Sequence, residues 1–217
     1  MIYFMKKGDL TKKQIIQTAK KEFFEKGYIN TKMNQITKSL NIQPSWITYH
    51  FKSKDNLAAE IFRELFEKID ARIHESNIII TDALQFHFVR IRLMYRIILR
   101  DENTSHFFYE LNKKKATILA TKPLVDEMYR KIIEAYHITV TEQEFLIIRG
   151  IDSSGRMDFF EKYLNNEFHI PLDDAVTILE GVVPRLLGLK QENIDSMILS
   201  SIRIANAIHI DDIHLLK

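Results

Sequence analysis

The segment 80–100 constrains the fold most, because its apolar side chains cover nearly the whole circumference of a helix. Leu84, Phe88 and Ile91 fall on one face, whereas Val89 and Leu93 fall on another. A helix that is apolar all round has to be buried on all sides, as at the centre of a helical bundle. The chain also contains only 6 Gly and 4 Pro, too few breakers for a many-stranded β fold. We therefore expect an all-α protein.

Apolar residues at helical spacing predict further long helices on both sides of this segment. Their approximate bounds are 12–26, 53–76, 104–118, 122–136, 142–165, 173–188 and 191–209. Capping residues mark several of these ends, namely a box from Thr11 to Gln14, Gly27 as a left-handed stop, Ser53, Thr121 followed by Pro123, and a box from Thr141 to Glu144.

Two short helices with a tight turn between them are predicted within residues 31–51. Thr31 is the expected N-cap of the first helix, and Pro44 fits the first position of the second. Asn41 stands between them, and Asn tolerates a left-handed turn better than other non-Gly residues. The inward-facing positions are Met33, Ile36 and Leu40 in the first helix and Ile47 and Phe51 in the second. Such an arrangement on a basic surface is typical of a helix-turn-helix.

The charge of the chain is unevenly distributed. Residues 1–56 hold 11 Lys and 4 acidic residues, a formal charge of +7, although the whole chain carries only +2. A basic segment on an acidic body indicates a polyanionic partner for that segment, with nucleic acid expected ahead of an anionic membrane surface. We therefore predict a helix-turn-helix DNA-binding domain at 1–56 and a larger helical domain at 57–217.

The absence of Cys excludes disulfides, thiolate metal sites and cysteine nucleophiles, and it favours a cytoplasmic location. No run of about 18 apolar residues occurs, so no membrane partner is expected. No cofactor or metal is expected, because Glu134-x-x-His137 is only half of a di-iron carboxylate motif and its second copy is missing. These features argue against an enzyme.

The segment Thr31–Leu57 resembles the DNA-binding domain of the TetR family of one-component transcriptional regulators. The resemblance lies in Tyr49-His50-Phe51 followed by Lys54 and Leu57, and in the upstream sequence Phe-Phe-Glu-Lys-Gly-Tyr that ends at Tyr28. It implies an all-helical homodimer in which 57–217 is a helical ligand-binding and dimerisation domain. Such a protein binds a small-molecule effector in this larger domain and usually represses transcription until the effector enters. By resemblance the dimer interface comes from helices near 142–165 and 173–188, including Gly150, Ser154, Val182 and Leu186.

Several residues of the short-helix region are candidates for contact with an operator. Ser45, Trp46 and Thr48 point away from the buried face of the second short helix, so base contacts are expected there. The alternative for Trp46 is a place in the core. By resemblance, Thr31, Tyr49, His50 and Lys54 hold phosphates. The predicted DNA-binding residues are Thr31, Gln43, Pro44, Ser45, Trp46, Thr48, Tyr49, His50 and Lys54.

Aromatic and soft apolar residues on three consecutive helices are candidates for an effector pocket, since ligand sites between bundle helices are mostly apolar. They are Phe86, His87, Met94, Tyr95, His106, Phe107, Phe108, Met128 and Tyr129. For each of them plain core packing is the alternative. Arg92, Arg96 and Arg100 lie on one helical stripe, which either binds an anion or is solvated and paired with acids.

The sequence therefore predicts a ligand-responsive DNA-binding transcriptional regulator, more often a repressor than an activator in this family, acting as a homodimer on a near-palindromic double-stranded operator. The alternative is an all-helical small-molecule-binding protein or enzyme without DNA function. The charge of residues 1–56 favours the first interpretation, because a protein without DNA function has no use for it.

Overall fold

The computed structural model describes residues 7–217, apart from the side chains of Lys7, Asp9 and residues 117–120. Within this range the secondary structure is helical throughout, which confirms the expected all-α class, and no helix there is long and apolar enough to cross a membrane. The helices are α1 (Lys7–Asn30), α2 (Met33–Ser39), α3 (Ser45–Phe51), α4 (Lys54–Glu75), α5 (Ala83–Ile98), α6 (Glu102–Lys113), α7 (Ala116–Ala135), α8 (Glu142–Leu164), α9 (Leu172–Glu180), α10 (Val182–Leu186) and α11 (Gln191–Ala207).

The helices form two compact units. Unit 1 comprises the chain up to Leu65, Ile98–Thr121 and His214–Lys217, and unit 2 comprises Phe66–Ile97 and Lys122–Ile213. These units follow the contacts of the chain and do not coincide with the predicted division at residue 56. The division concerns binding functions rather than compactness, and it stays a prediction.

The core of unit 1 is built by α1 against α6. Ile15, Ala19 and Phe23 lie along the buried face of α1, at the spacing that the sequence predicted. The ring of Phe23 lies 5.0 Å from that of Phe107 in α6, between ring centroids. Gly27, with φ 77° and ψ 176°, interrupts α1 and separates its long regular part from the last residues 28–30, so the predicted stop at a positive φ is confirmed. We call residues 27–32 the turn between α1 and α2.

The core of unit 2 surrounds α5. Leu84 and Phe88 of α5 pack in one cluster with Tyr129 of α7 and Phe145 of α8. Val89 and Leu93 on the other face of α5 are buried too, as expected of a helix that is apolar all round. The capping box that begins α8 is confirmed, since the Thr141 hydroxyl accepts from the Glu144 N–H at 3.2 Å.

The predicted boundary between the helices at 104–118 and 122–136 was wrong. α6 ends at Lys113, and the chain reverses at Lys115, which adopts a left-handed φ of 56°. α7 then begins at Ala116 and continues through Pro123. The turn therefore falls six residues before Thr121. The sequence did not indicate a turn there, because its left-handed position is occupied by Lys115 and not by Gly or Asn.

The single helix predicted at 173–188 was also wrong, because the structure has α9 and α10 in its place. Pro184 has no backbone N–H and so cannot donate the helical hydrogen bond to Glu180. At the junction, a Cβ on Gly181 would lie 2.2 Å from Nη1 of Arg185, so a larger residue would displace that guanidinium. Gly188, with φ 79°, follows the end of α10.

Candidate nucleic-acid interface

The two short helices predicted at residues 31–51 are present as α2 and α3. Asn41 adopts the left-handed conformation, with φ 52°. Its N–H donates to the Lys38 carbonyl at 3.1 Å, and the next N–H, of Ile42, donates to the Thr37 carbonyl at 3.0 Å. Ile47 and Phe51 bury the inner face of α3. A helix-turn-helix is thus formed, with Asn in the turn.

The outer face of α3 is polar and exposed. Tyr49 exposes 78% of its surface, which is exceptional for a large aromatic residue. Its exposed polar neighbours are Gln43, Ser45 and Thr48. Pro44 is exposed as well and precedes the helix, which begins at Ser45 rather than at Pro44. The hydroxyls on this face can reach an external partner, and their contact with DNA stays a prediction.

Trp46 is neither a core residue nor fully exposed. Its ring stacks on that of His50 at 5.7 Å between centroids, with 21° between the planes. Tyr49 meets the Trp46 ring edge-on at 6.4 Å. The three rings form an aromatic cluster on α3, which we call the α3 aromatic cluster. One edge of this cluster is available to solvent, while stacking restrains Trp46.

Thr31 does not cap α2, contrary to the sequence-based expectation, because Lys32 occupies the N-cap position. The Thr31 side chain is buried with 1% of the residue exposed, and its Oγ1 lies 2.7 Å from the Gly27 carbonyl and 3.1 Å from that of Glu22. The hydroxyl therefore closes the end of α1, and a phosphate contact would have to involve the backbone of Thr31.

Lys54 binds the protein backbone. Its Nζ donates to the carbonyls of Tyr28 at 2.7 Å and Thr31 at 3.0 Å, and it lies 4.2 Å from the centre of the Tyr28 ring. Burial lowers the pKa of the Lys54 ammonium, and the carboxylates of Asp55 and Glu110 oppose this shift. The Tyr28 hydroxyl bonds Asp55, and burial followed by this bond raises the pKa of Tyr28. The phosphate contact of Lys54 stays a prediction. The sequence did not reveal that Lys54 binds the carbonyls of Tyr28 and Thr31.

The basic surface of the N-terminal segment comes from exposed lysines on α1, on or beside α2, and directly after α3. They are Lys13, Lys21, Lys26, Lys32, Lys38 and Lys52. Lys20 differs from them because it is buried, and it pairs with Glu64 at 2.6 Å. Two of the exposed lysines also pair with acids on α1, Lys21 with Glu25 at 3.9 Å and Lys26 with Glu22. A count of lysines in the sequence therefore overstates the cationic surface.

The structure divides the predicted effector-pocket residues between the two units. His106, Phe107 and Phe108 belong to unit 1. Phe107 is fully buried and contacts Phe23 and Tyr28, and Phe108 packs on Phe62 at 5.9 Å between ring centroids. The His106 side chain is largely exposed, and its Nε2 lies 3.3 Å from Oε1 of Glu110. These contacts match the core alternative for Phe107 and Phe108.

The remaining pocket candidates lie in unit 2, where Phe86 is half-buried and His87, Met94, Tyr95, Met128 and Tyr129 are buried. The His87 ring meets the Tyr129 ring at 5.2 Å. Burial, followed by the nearby arginines, lowers the pKa of His87 well below its usual value, so the ring is neutral near pH 7. Among the described residues, its Nδ1 has no hydrogen-bond partner.

A series of hydrogen bonds joins two of these candidates, Tyr95 and Tyr129, to Asp152 and Arg156, which the sequence did not single out. The Tyr129 hydroxyl donates to Asp152 at 3.1 Å, and Asp152 accepts from Arg156 at 2.7 Å. Arg156 in turn donates to the Tyr95 hydroxyl at 2.9 Å. The sequence does not single out Asp152, because no sequence pattern marks a carboxylate that turns inward from one face of α8.

The stripe of Arg92, Arg96 and Arg100 is not solvated along its whole length, because Arg92 is buried. Arg92 has no exposed surface, and one of its Nη atoms lies 2.7 Å from Oε2 of buried Glu180. Burial raises the pKa of Glu180 to about 8 although Arg92 opposes the shift. Arg96 does pair with an acid near the surface, Asp173, at 2.7 Å.

Two clefts on unit 2 are lined by none of the predicted pocket residues. One of about 390 Å³ lies between the end of α7 and the start of α8, beside His137 and Phe145. Another of about 270 Å³ lies beside Ile147 and Leu186. Within the described part of the chain, no three His, Asp or Glu side chains come together as a metal site would require.

Residues 15–61 match the family model described as "Bacterial regulatory proteins, tetR family". The chain is 28% identical over 124 residues to a Bacillus subtilis (strain 168) protein described as "Uncharacterized HTH-type transcriptional regulator YhgD". That match spans 56% of this chain and 63% of the relative, so the chain covers less than two thirds of its length.

Solved structures also resemble the chain. The crystal structure of RolR without ligand has a TM-score of 0.54 at 15% identity, covering 89% of this chain and 96% of RolR. AmtR of Mycobacterium smegmatis has a TM-score of 0.39 at 13% identity, over 87% and 92% of the two chains. The similarity to RolR concerns the fold alone. Residues 15–61, which contain the observed helix-turn-helix, are therefore similar to the bacterial regulatory proteins of the tetR family.

Proposed function

We propose that this protein is a ligand-responsive transcriptional regulator that acts in the cytoplasm and binds a near-palindromic operator as a homodimer. The observation that carries the proposal is the exposed outer face of α3, where hydroxyls and aromatic edges face outward from a helix-turn-helix surrounded by exposed lysines. Lysines attract the duplex without regard to sequence, and α3 supplies groups that can read base edges.

The chemistry of α3 favours an operator that is rich in A·T at the contacted positions. Ser45 and Thr48 can bond either base edge, and the outer edge of the α3 aromatic cluster can contact a thymine methyl. Residues 1–56 contain no Arg, the residue whose planar guanidinium pairs with guanine in two hydrogen bonds. Specificity then rests on hydroxyls and apolar contact.

Dimerisation is proposed through an apolar face of unit 2. Ile147 exposes 63% of its surface, and Ile151, Ile178 and Leu186 also expose large parts of theirs. They lie on α8, α9 and α10, the helices expected to form the interface. Clustered exposed apolar side chains mark association surfaces, and a two-fold dimer presents two α3 helices to the two half-sites of an operator.

The proposed effector is a small molecule bound in unit 2, among helices that carry His87, Tyr95 and Tyr129. An effector that prefers a conformation with wrongly spaced α3 helices weakens operator binding, because a ligand shifts a population only by its differential affinity. Whether transcription falls or rises on binding depends on the position of the operator relative to the promoter.

The proposal is tested by a fluorescence-anisotropy titration of the full chain with the duplex upstream of its own gene, repeated across a series of salt concentrations. The double variant Ser45→Ala/Thr48→Ala removes two hydroxyls from α3, and Ser196→Ala removes an exposed hydroxyl from α11 as the matched control. We expect the double variant to lose affinity by about 1–3 kcal/mol per half-site on the operator, and the control to match the wild type.

Failure of the wild-type chain to bind this duplex, or any duplex enriched from a random pool, would contradict the proposal. The alternative function, a small-molecule-binding protein or enzyme without DNA function, would then take its place.

A further inference from the structure

The turn between α1 and α2 receives a carboxylate from α6. Oε2 of Glu110 accepts a hydrogen bond from the Ile29 N–H at 2.9 Å. A Cβ built on Gly27 would lie only 2.5 Å from the same oxygen. The carboxylate therefore occupies the space that any side chain at position 27 would need. Gly27 serves both the left-handed backbone and this close approach.

The carbonyl groups of the same turn are bound by a cation from α4. Lys54 donates to the carbonyls of Tyr28 and Thr31, while Glu110 accepts from the N–H of Ile29 between them. Hydrogen bonds that involve a charged partner are shorter and stronger than neutral ones. Two oppositely charged side chains from different helices thus fix the backbone that leads into α2.

Glu110 is itself held in place by the packing of α6. Only 6% of the residue is exposed, and Phe107, one turn earlier, packs on the rings of Phe23 and Tyr28. Its other oxygen, Oε1, faces the ring of His106. A buried carboxylate with restricted rotamers locates its hydrogen-bond partner more closely than an exposed side chain does.

Building on the proposed function, we infer that Glu110 is a positioning residue for operator recognition. It touches no DNA, and it acts by fixing the turn from which α2 and then α3 follow. Hydrogen bonds to base edges weaken steeply when distance or angle changes, whereas attraction between lysines and phosphates tolerates such changes. Loss of Glu110 therefore lowers discrimination between sequences more than it lowers general affinity for DNA.

The test uses full-length Glu110→Leu, which removes the acceptor, and Glu110→Gln, whose amide oxygen can still accept from Ile29. Glu102→Leu and Glu102→Gln, at an exposed acid of the same helix, are the matched controls. Each protein is titrated with the duplex that the wild type enriches from a random pool and with an unselected duplex, at a temperature where circular dichroism shows every variant folded. Amide hydrogen exchange reports the Ile29 N–H directly.

We expect Glu110→Leu to bind the selected duplex about tenfold more weakly and the unselected duplex nearly as the wild type does. Glu110→Gln and both controls should keep the selectivity of the wild type. Exchange at Ile29 should accelerate in Glu110→Leu and in Gly27→Ala, and it should stay as in the wild type in Glu110→Gln and in both controls. Gly27→Ala, which displaces the carboxylate while keeping its charge, should lose selectivity in the same way and provides a second route if Glu110→Leu does not fold.

Unchanged selectivity in folded Glu110→Leu or Gly27→Ala would overturn this inference and leave the proposed function intact. An equal loss on both duplexes would overturn it too, because it would indicate a general weakening of the domain. Failure of the wild type to enrich any duplex would overturn the proposed function and this inference together.

Discussion

Replacing Lys54 by Met separates a structural role of this ammonium group from a role in binding phosphate. The Met side chain keeps an apolar stem of similar length against the Tyr28 ring but removes two hydrogen bonds to backbone carbonyls. Each such bond from a charged donor contributes about 1.5 kcal/mol, and the cation–π contact adds about 0.5 kcal/mol. Water can replace part of this at a half-buried site, so we expect unit 1 to lose about 2–3 kcal/mol of unfolding free energy.

The single Trp, Trp46, lies in unit 1, so its fluorescence during urea denaturation reports the unfolding of that unit. The midpoint should fall clearly in Lys54→Met. Lys38→Met, at an exposed lysine of α2, is the matched control and should change stability by less than about 0.5 kcal/mol.

A pure phosphate contact gives the opposite pattern. The denaturation midpoint would then stay unchanged, and the slope of log affinity against log salt would fall by about one unit per half-site. Observation of that pattern for Lys54→Met would refute the assignment of Lys54 to the turn between α1 and α2. Measuring both quantities on the same preparation decides between the two roles.

Three further predictions concern Trp46 of α3, the exposed apolar face of unit 2, and the buried carboxyl of Glu180. Trp46→Ala should weaken operator binding by about 1–3 kcal/mol per half-site and affect random DNA much less; a Trp fluorescence spectrum and iodide quenching that operator DNA leaves unaltered would contradict this. Ile147→Glu should sediment as a monomer at micromolar concentration, whereas the wild type and Leu199→Glu, which changes an exposed position of α11, should sediment as dimers; a wild-type monomer would contradict the proposed dimerisation. Because the folded pKa of Glu180 lies near 8, above its unfolded value, the stability that this carboxyl contributes is present below about pH 4.5 and is lost as the pH rises through 8. Denaturation of Glu180→Gln between pH 5 and 9 should show a flatter profile than the wild type, and identical profiles would count against the raised pKa.

Periodicity predicted the helix-turn-helix because each of its features depends on neighbours in the sequence. Ile47 and Phe51 lie four residues apart on one helix face, and Asn41 supplies a backbone conformation that its own side chain tolerates. The stop at Gly27 and the box at Thr141 are local in the same sense. All of these predictions were therefore confirmed by the backbone itself.

The contacts that the sequence did not reveal belong to side chains whose partners come from distant parts of the chain. Lys54 has the charge of a phosphate ligand, and only the position of the α1–α2 turn reveals that it binds carbonyls. Arg92 belongs to a helical stripe with Arg96, yet Glu180, 88 residues later, makes it an interior residue. Phe107 is aromatic, as residues that line an apolar pocket often are, but its contact with Phe23 makes it part of the core of unit 1.

The assembly of unit 1 from separate stretches of chain limits how such regulators can be recombined. An exchange of residues 1–65 between two members, chosen as a contiguous DNA-reading module, would place the donor's α1 against a recipient's α6. The Phe23 ring would then meet a foreign residue in place of Phe107, and the Ile29 N–H would lack a carboxylate. A functional chimera must therefore carry α6 with its α1, which makes operator specificity transferable only as a discontinuous set of residues.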